Sequence, residues 1–564
     1  MKLTDGSVTS DDKNLEGEND ECMTEDDLKQ EIAESYRHYE QQEYIYRRGC
    51  AVFFVIVVLF GGACLWYWTT ATPRAPLKFF NEEHQMKIPV TIRLGIVLST
   101  DLSSNALDEI STNLSNDLEK IADQSRFRLN FNLNKLIFST LKEAQEFTAP
   151  VSHEMAVNLL LIDSQDWPFF SSKKVHLGSK LWSFAQFDKD IERTSSRLNF
   201  AIRDVMIDID HLISIVRRDL KKPIGALEIA SLPSAQQKRH IWDSAALSVI
   251  YSVHLIYLHH INEDVKRDDI SRNVAFEREA LTAVNRFANR IRNVTDLHIT
   301  AEHLWDFDIA AFLSVDVQQR TVIENRQISS LISTIDASTS PVESAYPLIK
   351  LIVLESDELI ILIDDHSDDT YAFAIASWGG IVSPKLLDED SRLRSSASQN
   401  VIGVLRVLLG MDSDLDAMYS KNTAPVSNWE LERLRLRSFV DNTMRCISSV
   451  EAIHQLTSNI DNIAISNYVS QLVNSSVVHL EQGISNMEQA GGLSLDFALK
   501  ARFLADKSIN EPTLLGLLYF SPDQKLAVYV PLVLPVLMPI FSSIRTLYQE
   551  FRSTYTGQSN ILLN

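Results

Sequence analysis

Cysteine is almost missing from this chain. Four occur in 564 residues, Cys22, Cys50, Cys64 and Cys446, and no two have the CxxC spacing. That excludes a cysteine-based zinc site, a thioredoxin-like redox motif and the disulfide framework of a small secreted module. Glycine (17) and proline (16) are scarce, while 45% of residues are apolar. Collagen-like, low-complexity and disordered chains are excluded with them. Basic residues are outnumbered, 53 Lys and Arg against 75 Asp and Glu, for a net charge of −22. Nucleic acid is a poor partner for such a surface, because phosphate binding needs clustered positive charge. Neither GxSxG, a P-loop, GxGxxG nor HExxH occurs.

Two long apolar runs are present. Residues 49–68, GCAVFFVIVVLFGGACLWYW, carry no charge. As a helix they cover about 30 Å, the thickness of a bilayer core. Arg47 and Arg48 precede the run, and Trp66, Tyr67 and Trp68 close it with an interfacial aromatic end. A cleaved signal peptide fits less well, because a long polar stretch comes first and the apolar run exceeds a signal core. The second run, 526–544, is LAVYVPLVLPVLMPIFSSI. Its Pro531, Pro535 and Pro539 recur every fourth residue, so three backbone acceptors lose their donors along one helix face. Such a helix is expected to pack against other membrane helices. Two spans put both termini on one side. The basic residues only lean toward a cytoplasmic N-terminus. The sequons at Asn113, Asn293 and Asn474 all lie between the runs and favour a lumenal middle.

The chain then divides into an acidic cytoplasmic tail (1–48, net −8), a first transmembrane helix (49–68), a lumenal α/β domain (69–427), a lumenal helical segment (428–525), a second transmembrane helix (526–544) and a short cytoplasmic tail (545–564). A short helix capped near Thr24 is expected to end by Tyr46. Strands are predicted at 88–98, 126–138, 155–162, 246–257, 348–355, 359–363 and 372–377, with helices near 104–124, 189–219 and 276–292. This alternation is the pattern of an α/β domain with a mixed sheet. Phe127, Leu129, Phe131 and Leu133 alternate with polar residues, which predicts one wet face. After Ser427, whose spacing to Glu430 matches a capping box, a helical stripe begins, followed by helices at 466–489 and 494–507.

Candidate chemistry is thin. Cys446 falls among helical apolar positions and reads as a core residue rather than a nucleophile. His254, His259 and His260 precede Glu263 and Asp264 at the end of a strand pattern, which predicts a loop rather than a metal site. The acidic run 364–369 reads as a surface turn. A lumenal type II glycosyltransferase-like enzyme is the rival plan, with Asp412-Ser-Asp414 or Asp208-Ile-Asp210 as its metal-holding motif. With 75 acidic residues, however, acid-x-acid matches arise freely by chance. Arg47 and Arg48 are positioned to pair with lipid phosphates. No cofactor and no metal is expected.

Several segments resemble the PIG-S family, a subunit of the GPI transamidase. They are WYWTTATPRAPL (66–77), SPVESAYPLIKLIV (340–353), SWGGIV (377–382), NWELERL (428–434), NIDNIAISNYV (459–469) and LLYFSPDQKLAVYVPLVLPVLMPIF (517–541). The resemblance runs from about 49 to 545, with no motif between 100 and 330. It implies a non-catalytic subunit in the endoplasmic reticulum membrane. There the complex joins GPI to the trimmed C-terminus of a precursor protein, and a caspase-like subunit, PIG-K, performs the chemistry. PIG-T, PIG-U and a Gaa-type subunit are the other implied partners, with GPI, precursor and lipid as further contacts.

Overall fold

The structure is a computed structural model. It describes residues 25–561 apart from 63, 65–66, 69–73, 81–84, 98–103, 125, 150–153, 168–172, 189, 220–246, 261–279, 306, 340–343, 345, 357–359, 364–368, 376–377, 384–392, 412–418, 422–424, 460–464 and 516–521. Two compact units result: Arg74–Leu515, and Met1–Pro73 together with Gly516–Asn564.

In the smaller unit, helix α1 (Glu25–Ile56) continues as a π-helical segment over Val57–Gly62. The tail helix expected to stop at Tyr46 therefore runs on into the apolar run, since the only weak helix former between Tyr46 and Phe53 is Gly49, at a cost of about 1 kcal/mol, and no proline intervenes. Among the described residues, one helix is long and apolar enough to cross a membrane. Its apolar window is Ile45–Gly62, with mean hydropathy 1.7, and it includes Arg47 and Arg48.

The larger unit, the body, holds the sheets. Strands β1 (Met86–Val97), β2 (Phe127–Phe138), β3 (Met155–Asp163), β4 (Val175–Leu177) and β5 (Ser183–Phe187) belong to the first. β1 pairs in parallel with β2 along its whole length, and with β3 on its other side. β3 and β1 are central and buried on both faces, whereas β2 is the edge and alternates buried with exposed positions. That edge position is why its sequence shows period two.

The remaining strands are β6 (Ile250–His260), β7 (Asp296–Leu304), β8 (Ser314–Val315), β9 (Thr321–Glu324), β10 (Leu348–Ser356), β11 (Ile361–Ile363), β12 (Asp369–Thr370), β13 (Ala372–Ile375), β14 (Gly379–Val382) and β15 (Tyr419–Lys421). The first sheet has the order β15-β4-β5-β3-β1-β2, the second β13-β14-β10-β6-β7 and the third β12-β11-β9-β8. Parallel and antiparallel pairs occur in all three, so the sheets are mixed.

Helices cover them. α2 (Ser104–Ala122) packs on β2 and on α3 (Ile191–Phe200). The single helix predicted over 189–219 is interrupted. α3 passes into a π-helical segment, Ala201–Ile207, then breaks at Asp208 (φ 59°, ψ 60°) before α4 (Ile209–Asp219). Aspartate is one of the few residues that tolerates this left-handed conformation. Residues 280–291 form α5, followed by α6 (Asn325–Ser338) and α7 (Leu393–Leu408). A helical layer completes the body: α8 (Asn428–Asn459), α9 (Asn467–Ala490) and α10 (Leu495–Ile509). α9 ends on Gly491 in the left-handed conformation. The smaller unit closes with α11 (Pro522–Ile561), which contains Pro531, Pro535 and Pro539 and packs against α1.

His254, His259 and His260 lie within β6, not in a loop. The strand extends through them because β10 pairs with it as far as His260, opposite Ser356, while β7 pairs as far as Leu258.

Gly379 has φ of +154°, and a Cβ there would fall 1.7 Å from the Lys350 carbonyl oxygen. A Cβ at Gly380 would meet the Val404 side chain at 2.3 Å. The glycine pair of SWGGIV lets β14 pair with β10 while α7 packs on it. By contrast, a Cβ at Gly403 in α7 meets nothing within 4 Å. Gly379→Ala is expected to lower the thermal midpoint of the detergent-solubilised protein and its yield. Gly403→Ala is expected to raise stability by about 0.5–1 kcal/mol. Both are checked by thermal unfolding followed by circular dichroism.

Candidate functional site

The segments that carry the family resemblance are far apart in sequence, and the fold gives them two specific jobs. The first is a buried ionic clamp built from NWELERL. Glu430 and Arg406 are both buried and face each other, with Arg406 Nη2 2.5 Å from Glu430 Oε1 and Nη1 3.2 Å from Oε2. Arg406 also donates to the Pro425 carbonyl at 2.8 Å. The Ser427 N–H donates to Glu430 Oε2 at 2.8 Å. This is one arm of the predicted capping box. The other arm is absent, because Ser427 Oγ is buried without a partner. One turn on, Arg433 donates to the carbonyls of Val205 and Met411 and lies 5.2 Å from the Trp429 ring centroid. Asn428 accepts from Arg290. The motif thus joins α8 to α5, to the end of α7 and to the π-helical segment.

The second job is a strap. Residues 74–80, the first of the body after the apolar run, lie along α8 and α9. Arg74 bridges to Ile465, and the Ala75 N–H donates to the Ile465 carbonyl at 3.2 Å. Ser470 Oγ donates to the Pro76 carbonyl at 2.6 Å. Asn474 Oδ1 accepts from the Lys78 N–H at 2.7 Å, and Asn474 Nδ2 donates to the Pro76 carbonyl and to Ser470 Oγ, each at 3.2 Å. The Phe79 ring meets His454 at 4.1 Å between centroids. So Arg74 and Ala75, from one segment of resemblance, and Ile465, from another nearly 400 residues on, are partners in one junction.

Sheet two carries a histidine cluster that the sequence pattern did not reveal. His254, buried on one face of β6, lies 2.9 Å from Thr300 Oγ1 and 3.1 Å from Glu302 Oε2. On the opposite face, His259 Nε2 is 3.0 Å from His303 Nδ1, and the His259 ring stacks on Trp305 at 3.6 Å. β7 supplies Thr300, Glu302 and His303, and a strand in the sequence around 296–304 is masked by its polar residues. Among the described residues no group of three or more His, Cys, Asp or Glu could hold a metal ion.

The other candidates fall as follows. Cys446 is fully buried on α8, 3.9 Å from Ser476 Oγ, and burial pushes its thiol up to about 12. A thiol in that state is not a nucleophile at neutral pH. Asp208 marks the helix break, and Asp210, exposed at the start of α4, pairs with Arg203 at 3.5 Å. Nearby Asp204 is pushed up to about 6, chiefly by burial and further by Asp210 and Asp208, against the pull of Arg203. A cavity beside them, lined by Asp208, His211, Met411, Arg433 and Arg437, holds about 10 Å³, room for one water. Asp412 and Asp414, Glu263 and Asp264, and residues 364–368 lie outside the described residues, while Asp369 pairs with Arg320. Arg47 and Arg48 are exposed on α1. Pro531, Pro535 and Pro539 are exposed along α11. Asn113 is half-buried on α2, Asn293 is exposed on the turn after α5, and Asn474 is half-buried in the strap junction.

Residues 52–554 match the family described as "PIG-S: Phosphatidylinositol-glycan biosynthesis class S protein". The chain belongs to the PIG-S family. It is 24% identical over 556 residues to the mouse (Mus musculus) protein named "GPI-anchor transamidase component PIGS", spanning 91% of this chain and 96% of the relative. The rat (Rattus norvegicus) protein of the same name is 23% identical over 562 residues, with 92% and 98% coverage. The cattle (Bos taurus) protein of that name is 23% identical over 565 residues, with 91% and 97% coverage. The part of α1 before Val52 lies outside the family match.

Glu430→Ala leaves Arg406 buried without its carboxylate. The substitution is expected to cost about 3–5 kcal/mol and to make the body susceptible to trypsin, read as loss of a protected core on a gel. Cys446 provides a pH test. Its folded pKa lies above the unfolded value, so its contribution to stability is full below about pH 9 and fades as pH rises toward 12. At pH 8 the folded protein is expected to leave Cys446 unalkylated by iodoacetamide. Unfolding in urea is expected to expose it, as read by peptide mass mapping.

Proposed function

We propose that this chain is a subunit of the GPI-anchor transamidase and serves it as a non-catalytic membrane scaffold. The observation that carries the reading is the family match over 52–554, together with near-complete coverage of relatives named as components of that complex. The buried state of Cys446, the one cysteine of the body, supports a non-catalytic role. In this reading the transfer chemistry belongs to PIG-K, and PIG-T, PIG-U and the Gaa-type subunit are the other partners. The protein resides in the endoplasmic reticulum membrane with two spans, 49–68 and 526–544, and both termini in the cytoplasm. The body is lumenal. Arg47 and Arg48 sit at the cytoplasmic boundary and pair with lipid phosphates.

The proline-rich helix is the packing element. Each of Pro531, Pro535 and Pro539 lacks an N–H, so the carbonyls four residues earlier, at Ala527, Pro531 and Pro535, have no helical donor. In a bilayer those acceptors need donors from a neighbouring helix or from trapped water. A partner subunit's helix lying on that face supplies them.

A mild-detergent pull-down of the full chain, with mass spectrometry of what comes along, tests the reading. Co-recovery of the other four subunits is expected. Replacing the three prolines by Ala is expected to reduce recovery of membrane partners and the surface level of a GPI-anchored reporter. A chain recovered alone, or a triple variant with full recovery and full anchoring, overturns the scaffold role.

A further inference from the structure

The helical layer leaves one face of α10 open. Lys500, Phe503 and Lys507 recur on that face at three- and four-residue spacing, and all three are exposed. Phe503 is 65% exposed, whereas the opposite face, with Ala498, Ala501, Ala505 and Ser508, is buried. Tyr468, in the first turn of α9, is 45% exposed beside it, and Lys507 Nζ lies 5.8 Å from the centre of its ring. The acid next to Lys507 in sequence, Asp506, is answered elsewhere. It accepts from Arg502 Nε and from Ser449 Oγ, each at 3.2 Å.

The chain on either side of this patch says what it faces. α9 starts at Asn467, two residues after Ile465, to which Arg74 and Ala75 of the strap are bound. Arg74 follows Trp68, the aromatic end of the first apolar run, by six residues. Six residues reach about 20 Å at full extension. On the other side, α10 ends at Ile509 and the second apolar run begins at Leu526. The chain from the first run thus arrives at the end of the α9–α10 pair that carries Tyr468 and Lys507, and the chain to the second run departs from it.

We propose that the face formed by Tyr468, Lys500, Phe503 and Lys507 is a lipid-contact surface. The two rings enter the headgroup layer of the lumenal leaflet, and the two ammonium groups meet phospholipid phosphates. The proposal rests on the two spans and the lumenal body argued above. Tyr468 has an apolar ring and a polar tip, the combination favoured at a membrane interface. Phe503 has no polar tip and is the deeper of the two. The lysine stems lie along apolar surface while their ends reach phosphate oxygens. A protein partner here needs acids placed opposite both lysines, whereas a phospholipid surface presents phosphates throughout. This third attachment, beside the two tethers, stops the body from swinging on them.

The test uses the full chain, recovered from membranes with whatever subunits accompany it and placed in phosphatidylcholine nanodiscs. Three variants carry photoreactive p-benzoylphenylalanine in place of Phe503, of Met538 in the second apolar run, or of Val317, which is exposed on the β8–β9 turn. After irradiation, peptide mass mapping reads what each position has captured. Lipid adducts at positions 503 and 538, with none at 317, are the expected result. Adding Lys507→Glu to the position-503 variant is expected to lower its lipid adduct several-fold, and an unchanged yield overturns the phosphate contact. A lipid adduct at 538 with none at 503, whether 503 captures another subunit or nothing, overturns the lipid surface and leaves the second span standing. An adduct at 317 as abundant as at 503 overturns it as well. No lipid adduct at either 503 or 538 overturns both the surface and the span.

Discussion

The body depends on charges taken out of water and fully answered inside it. Glu430 and Arg433 stand one turn apart near the start of α8, a helix of 32 residues with buried positions from Trp429 to Thr457. Burying either alone would cost several kcal/mol. Neither is alone. Glu430 receives the Arg406 guanidinium and the Ser427 N–H, and Arg433 spreads its donors over the carbonyls of Val205 and Met411. Such an arrangement tolerates little displacement, because each partner lost leaves a charge uncompensated in a low-dielectric interior. The clamp therefore sets where α8 begins, and where α7 and the π-helical segment end against it. The Arg406 charge also lies in the last turn of α7, where it complements that helix's exposed carbonyls.

The strap follows from the same helix pair. α8 and α9 receive residues 74–80, the first part of the body after the apolar run, through two backbone carbonyls, two N–H groups and the Phe79–His454 ring contact. These contacts fix residues 74–80 against the helical layer. The junction gives the segments of family resemblance a physical content. NWELERL is a charge clamp, Gly379 and Gly380 of SWGGIV lie too close to their neighbours for side chains, and Ile465 is one anchor of the strap.

Much of the secondary structure was legible because period and length are local properties. β1, β2 and β3 and the three helices of the final layer fall within a few residues of where apolar spacing placed them. β2 even announced its edge position through alternation. The misses share a cause. The break at Asp208 is hidden in a sequence that remains apolar at helical spacing throughout. β7 carries His298, Thr300, Glu302 and His303 on a strand whose order comes from pairing with β6, so its own pattern looks polar and irregular. His254 and His259 of β6 read as a loop for a similar reason, since their partners Thr300, Glu302, His303 and Trp305 are supplied from elsewhere in the chain.

Membership in the family, the apolar runs, the shortage of cysteine and the want of a nucleophile motif were determined by the sequence alone. Each is a matter of residue order along the chain, and none needs three-dimensional neighbours. The tertiary structure decided which charges pair, that the one body thiol is sealed from solvent, and that Asn474 is a clasp while Asn293 is exposed. Those facts join residues tens to hundreds of positions apart, and no local pattern encodes the energy of a contact whose two halves are brought together only by folding.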